Sequence, residues 1–372
     1  MLYNISNLQL AKLVTPASRA GEALARLDER ILRSPLRQGF IERQDFSDAI
    51  SSMWVDGELV HMEDLVLHEA HMDVRAPTHE MTSAYRILRT RRLIFSNIKG
   101  WSFTPAGLSR LRGRATELSG ETDIGMPIAN AFEDTDQKND SEDAPLQDTF
   151  SELDALLARS AATLDAVTGG RDIPAGLPAN ESHLLIRDAD WDEEERLREW
   201  QQVRDDSADL PTVLRAAIML DAWSRLEVLQ RSPWLGRLLS AAFLRDGGVS
   251  PDHLPALSAG LRAIPRERRH ASNQTDRIIA LLDSFYETAL GGMKEHDRLM
   301  NARERMLRKL VGRRSNSRLP ALIDLVVARP VVSASMIVKE LGTTPQGAVG
   351  LANQLELREV TGRGRFRAWG ML

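Results

Sequence analysis

Over most of its length this chain repeats apolar residues at intervals of three and four, and it lacks the β-branched and aromatic runs that a large sheet needs. GEALARLDERILRS and DFSDAISSMW in the first sixth of the chain each place an apolar stripe along a helix. LPTVLRAAIMLDAWSRLEVL and TDRIIALLDSFYETALGGM do the same further on. Hydrophobic residues make up 42% of the chain but aromatics only 5%, so burial has to come from Leu, Ala, Ile and Val on helix faces. The expected fold is mainly α, and 372 residues are enough for two or three domains. There is no cysteine, which excludes disulfides, zinc–thiolate sites and thiol nucleophiles and fits a reducing compartment. No apolar run is long enough to cross a bilayer, and the opening MLYNISNLQLAKL lacks the charged head and cleavage site of a signal peptide. The expectation is a soluble cytoplasmic protein with no membrane partner.

Charge is divided unevenly. Residues 301–372 hold 13 Lys and Arg against 5 Asp and Glu, so a whole-chain charge of −5 leaves residues 1–300 at −13. A basic end on an acidic body points to a polyanion partner for that end. Four segments follow from composition: a helical region at 1–118, a polar acidic linker at 119–149, a helical core at 150–311 that opens with FSELDALLARSAATLDAV, and a terminal module at 312–372. Within the first segment, LIFSNIKGWSFTP (93–105) has the bulky residues and turn signals of a short hairpin or extended piece.

The terminal module is the most specific part of the sequence. LPALIDLVVAR (319–329) is an apolar helix stopped by Pro330. Ser333 is placed to cap a second helix, in which Ile337, Val338 and Leu341 point inward and Gly342 supplies the stop. Thr344 caps a third helix that starts with Pro345 and buries Ala348, Ala352 and Leu355. Two short helices joined by Gly-Thr-Thr form a helix-turn-helix layout. REVTGRGRFRAWGML then alternates like a two-stranded ribbon, a small β wing, with Arg363, Arg365 and Arg367 at period two and so on one face. Three guanidinium groups there suit duplex phosphates. On the outer face of the third helix lie Gln346, Gly347, Gly350 and Asn353. Gln and Asn are suited to adenine edges, while glycines permit close backbone approach. The alternative is that the same winged helix serves as a protein-docking domain.

Two stretches of the body resemble Fic-type proteins that carry an inhibitory helix ahead of the catalytic core. In IERQDFSDAISSMWVDGELVHMEDL (41–65), the Ser, three variable residues and Glu-Gly of that family correspond to Ser52, Met53, Trp54, Val55, Asp56 and Gly57, with Asp for Glu. VLRAAIMLDAWSRLEVLQRSPWLGRLL (213–239) is similar to the family's core helix, catalytic loop and following helix, Gly236-Arg237-Leu238-Leu239 being closest. The resemblance implies a Fic-like helical core, and many Fic proteins also end in a winged helix. It also implies the loss of chemistry. The family motif supplies a His base, an acidic residue for Mg²⁺ and a Gly-Asn-Gly-Arg phosphate cradle. Here the base position is Leu226, Glu227-Val228 replace Pro-Phe, the acidic position is Gln230, and Arg231-Ser232-Pro233-Trp234 replace the cradle. A leucine accepts no proton and a glutamine brings no charge to a metal. The expectation is a non-enzyme with no cofactor and no catalytic residue. The old pocket is then either a ligand-sensing cavity with Arg231 and Arg237 as anion contacts, or a filled core.

His61, Asp64, His68 and His71 would share one face of a continuous helix over 61–71, a spacing open to a divalent metal or simply to solvent; no metal site is assigned to them. Residues 86–114 hold eight cations and no acid (Arg86, Arg89, Arg91, Arg92, Lys99, Arg110, Arg112, Arg114), either a second DNA-facing surface or a counter-charge to the acidic linker. DWDEEERLREW (190–200) reads as a capped helix with an acidic first turn. Together these readings predict a DNA-binding regulator, acting as a repressor, that binds double-stranded DNA as a homodimer and answers to a small-molecule or protein effector. Two alternatives come from other classes: a docking adaptor or antitoxin-like partner, and a nucleotidyl transferase with a non-standard motif.

Overall fold

The computed structural model describes residues 3–72, 77–113, 191–310, 318–360 and 367–370. One compact unit comprises Met1–Thr116 and Asp192–Leu372, a second comprises Glu117–Trp191, and every element below belongs to the first. The linker expected at 119–149 and the helix expected in FSELDALLARSAATLDAV lie outside the described residues.

Among the described residues the body is all helix. Its N-terminal part comprises α1 (Leu10–Leu32), α2 (Arg37–Val55), α3 (Met62–Glu69), α4 (His79–Ser96) and α5 (Pro105–Leu111). Then come α6 (Glu193–Asp206), α7 (Thr212–Leu226), α8 (Leu235–Asp246), α9 (Leu257–Arg262), α10 (Arg266–Arg269) and the long α11 (Gln274–Arg308). Short polar side chains start several of them, the helix after Asp192 being the one that the sequence predicts as capped. Asp192 accepts from the Glu195 amide at 2.9 Å, and Thr104, ahead of Pro105, accepts from the Gly107 amide at 3.0 Å.

α7 is apolar nearly all round and forms the centre, with Ala216, Ala217, Ile218 and Ala222 fully buried. Trp223 meets Trp200 edge to face at 5.1 Å between centroids, and the Trp200 indole donates to the Met219 carbonyl at 2.9 Å. α1 lies along α11 in the same direction: Arg19 pairs with Asp283 at 2.5 Å and Arg30 with Asp297 at 2.8 Å, while Leu27 packs on Gly292 between them. Among the described residues, no helix is long and apolar enough to cross a membrane.

Three expectations need correction. Residues 93–105 form no hairpin. α4 runs on to Ser96 because Arg91 and Ile94 are buried on its inner face, and a single 3-10 turn (Trp101–Phe103) links it to α5. Gly100, at φ 85°, makes that turn, and its amide donates to Asp246 at 2.8 Å. The helix around 61–71 is shorter than expected. His61 only precedes it, His71 lies beyond it in left-handed backbone, and His68 packs edge-on to Tyr85 at 4.8 Å. Among the described residues, no cluster of three His, Asp or Glu is placed to hold a metal.

The cation-rich stretch 86–114 is a surface only in part: Arg86, Arg89, Lys99 and Arg110 are exposed, whereas three of its arginines are held by acids. Arg91 is buried against Asp45 and Asp48, Arg92 pairs with Glu69 at 2.6 Å, and Arg112 pairs with Glu193 at 2.7 Å and with Glu194. Arg114 lies outside the described residues.

Three imidazoles in this body are held below their ordinary value. Burial is the main cause for all three; nearby Arg269 and Arg266 add to it at His270, and Arg30 adds to it at His296. The unfolded chain therefore takes up protons on these groups, below about pH 6.5, before the folded chain does. Stability is complete above that pH and falls as the pH drops through it. The urea midpoint is expected to be lower at pH 5.5 than at pH 7.5; equal or reversed midpoints would contradict this.

Candidate nucleic-acid interface

The terminal module is built as its caps predict, with one strand that the sequence did not reveal. α12 (Leu319–Ala328) buries Leu319, Leu322, Ile323, Val326 and Val327 and ends ahead of Pro330. Next come β1 (Val331–Ser333), α13 (Ala334–Leu341) and α14 (Pro345–Gln354), and then β2 (Arg358–Glu359) and β3 (Ala368–Gly370). The strands form one antiparallel sheet in the order β1-β3-β2, with Val332 opposite Trp369 and Glu359 opposite Trp369 on the other edge. Trp369 is fully buried opposite Val332 and belongs to the apolar core that also holds Leu355.

Each predicted reading residue of the helix pair can be placed. Gly342 ends α13 in left-handed backbone at φ 59°, as a C-terminal stop requires. Thr344 precedes α14, and its hydroxyl accepts from the Gly347 amide at 3.1 Å. Ala348, Ala352 and Leu355 are buried, whereas Gln346 and Asn353 are exposed.

The two glycines of α14 differ in kind. A Cβ on Gly347 would sit 2.4 Å from the Thr343 hydroxyl, so a larger residue there would have to displace that side chain. A Cβ on Gly350 would meet nothing within 4 Å, so no packing among the described residues accounts for it. A glycine inside a helix costs about 0.5–1 kcal/mol relative to alanine.

In the wing, Arg363 and Arg365 lie outside the described residues. Arg367 donates to the Glu359 carboxylate at 2.7 and 3.0 Å, and its guanidinium lies 5.5 Å from the centre of the Trp369 ring.

The two stretches that resemble Fic proteins meet in space. Arg237 on α8 donates to both carboxylate oxygens of Asp56, at 2.5 and 2.9 Å, and to the Ser52 hydroxyl at 2.7 Å. The sequence singled out all three residues but not their mutual contact. Arg231 is exposed on the loop between α7 and α8, whereas Arg237 is buried. Leu226 is buried as the last residue of α7, and its carbonyl accepts from Arg196 at 2.5 Å. With its side chain in the core, position 226 has no proton-transfer chemistry.

Sequence reasoning missed Arg43, a buried arginine on α2 whose guanidinium donates to Val326, Val327 and Arg329, carbonyls at the end of α12 and just after it. In the sequence it is one of many arginines on an amphipathic helix, and nothing local marks it.

Comparison with known proteins agrees with this architecture. Residues 319–372 match a family described as an HTH DNA binding domain, and residues 185–311 match one described as a protein of unknown function (DUF1612). The "Uncharacterized protein y4cF" of Sinorhizobium fredii (strain NBRC 101917 / NGR234) is 46% identical over 382 residues, covering 100% of both chains. This protein therefore belongs to the same family as the S. fredii protein and carries a DUF1612 domain followed by a C-terminal helix-turn-helix DNA-binding domain.

Proposed function

We propose that the protein is a DNA-binding transcriptional regulator, a repressor, whose α14 enters the major groove while the wing contacts phosphates. Thr344, Gln346, Gly347, Gly350 and Asn353 serve the groove, and Arg363, Arg365 and Arg367 the backbone. The observation that carries this reading is the outer face of α14: Gln346 and Asn353 are exposed, and Gly350 is left bare where nothing among the described residues needs it bare. A bare position on a recognition helix admits a base edge or sugar-phosphate at close range. Arg367 contributes less than its two neighbours, because phosphate must compete with Glu359 for it. The domain is small and offers few base contacts, so a homodimer on two half-sites supplies the affinity that one copy lacks.

The body acts as a Fic-derived scaffold without transfer chemistry. Support comes from Ser52 and Asp56 meeting Arg237 and from the buried leucine at position 226. Incubation with labelled ATP and Mg²⁺ is expected to leave no label on protein; transferred label would overturn this part.

The DNA reading is tested on fragments selected from genomic DNA. Changing Arg363, Arg365 and Arg367 together to Ala lowers affinity and flattens the dependence of log K on log salt by about 0.9 for each phosphate no longer neutralised. An unchanged slope removes the wing from the interface. Gly350→Ala separates binding from folding. With open space around it, the new methyl raises helix stability by about 0.5–1 kcal/mol, while DNA affinity falls. Full affinity in a stabilised Gly350→Ala protein excludes close approach at that point.

A further inference from the structure

A cavity of about 630 Å³ opens beside the end of α2, between Trp54 and the segment joining α9 to α11. Three cations, Arg262, Arg266 and Arg269, face it, together with the His270 imidazole. Most arginines of the body have an acid to hold, as Arg91, Arg112, Arg237 and Arg277 do. Among the described residues, those on this wall do not. Arg262 and Arg269 lie 5.3 and 5.9 Å from the centre of the Trp54 ring, and the Arg269 Nε is buried without a hydrogen-bond acceptor.

Other charges nearby do not cancel the set. Arg268 turns to Asp283 at 2.7 Å, and Glu267 is exposed and is not among the residues lining the cavity. Asp56, the carboxylate in the wall, is held bidentately by Arg237 and so opposes an incoming anion little. Burial, with Arg237 and Arg266 adding like charge, already disfavours the charged form of Arg269. Gathering several guanidinium groups without counter-charge costs free energy that an anion would recover. A guanidinium fork matches the oxygens of a phosphate in geometry as well as charge. Trp54, 40% exposed, adds an apolar wall to the same opening.

We propose that this cavity is a binding site for a phosphate-bearing small molecule, with Arg262, Arg266 and Arg269 taking the phosphate and the Trp54 indole supporting its organic part. The inference does not rest on DNA binding, and its test uses the full chain without DNA.

Binding is followed by titration calorimetry and by tryptophan fluorescence with inorganic phosphate, phenyl phosphate and citrate as probes. Phenyl phosphate is expected to bind more tightly than inorganic phosphate, and Trp54→Ala to remove that difference. Arg266→Ala with Arg269→Ala weakens both by roughly tenfold or more, the value of one charge-assisted hydrogen bond. Both positions are at least partly exposed, so the double variant is expected to keep its fold, and its helical circular dichroism checks this. Absence of binding by all three probes at millimolar concentration would overturn the proposal. So would citrate binding more tightly than either phosphate, or binding lost in the wing triple variant but kept in the Arg266→Ala, Arg269→Ala protein.

Discussion

Arg43→Met is expected to loosen the whole winged helix from the body and to lower stability by about 3–5 kcal/mol. The reason lies in how α12 ends. The last carbonyls of a helix have no partner within it. Here Val327, Val326 and Arg329 offer their carbonyls to one buried guanidinium at 2.5, 2.8 and 2.9 Å. Burial lowers the Arg43 pKa to about 10, so it remains a cation at neutral pH and its hydrogen bonds are charge-assisted. Methionine fills much of the same volume and donates nothing, which leaves three buried acceptors unpaired at about 1–3 kcal/mol each before relaxation. Lysine does not rescue, because a single ammonium cannot span three carbonyls in a planar fork.

The neighbouring contact is equally unforgiving. A Cβ on Gly39 would stand 2.9 Å from the Ala328 Cα, and backbone cannot swing aside as a side chain can. Chemical denaturation and amide exchange over residues 319–333 measure the effect. If Arg43→Met keeps both the wild-type midpoint and the wild-type protection of α12, the guanidinium is not what fixes the module.

The contrast between caps and buried arginines explains what was legible in the sequence. Ser333, Gly342, Thr344 and Pro345 act within three or four residues of themselves, so their roles are written locally and the structure places each of them at the predicted helix end. Arg43 and Arg91 act across the chain. Arg43 reaches residues 283–286 positions away, and Arg91 reaches α2 and the start of α9, so no local pattern distinguishes them from solvated neighbours.

The same limit hid β1. Val331-Val332-Ser333 is too short to show alternation, and Ser333 serves both as the cap of α13 and as the strand partner of Ala368. At 93–105 the turn chemistry around Gly100 and Thr104-Pro105 is legible locally. The length of the preceding helix is not, because its burial comes from α2 and α8, which periodicity alone cannot supply. In the candidate site, the outward residues of α14 follow directly from helix phase. The role of PRERRH (265–270) does not, because a run of charge looks the same whether it faces water or a cavity.

Removing Arg91 should have an effect on the body as large as that of Arg43→Met. Its guanidinium is 1% exposed and binds Asp45 at 2.6 Å, Asp48 at 2.8 Å and the Pro255 carbonyl at 3.2 Å, with a further bond to the Leu254 carbonyl. Asp48 in turn accepts from the Ser258 amide at 2.9 Å, so one cation ties α4 to α2 and to the start of α9. In Arg91→Met Asp48 loses its counter-charge, and Asp45 keeps only the more distant Arg92, at 3.7 Å. Breaking such a pair costs about 3–5 kcal/mol, a large part of the about 5–15 kcal/mol that a typical domain has in total.

The pH dependence identifies the cause. Burial already pushes the Asp45 carboxyl upward against the pull of Arg91, and without that arginine only Arg92, 3.7 Å away, still opposes the rise. A carboxyl whose folded value lies above its unfolded value keeps a proton in the folded state that the unfolded chain releases. The variant therefore loses stability as pH rises and regains part of it on acidification. That trend runs against the histidine-driven loss expected of the wild type. Comparing the urea midpoints of the two proteins at pH 5.5 and 7.5 separates them: the gap should narrow at the lower pH. Adding Asp45→Asn should narrow it at neutral pH, since a neutral amide needs no counter-charge. A gap equal at both pH values, or unmoved by Asp45→Asn, would mean that Arg91 contributes by filling space and not by charge.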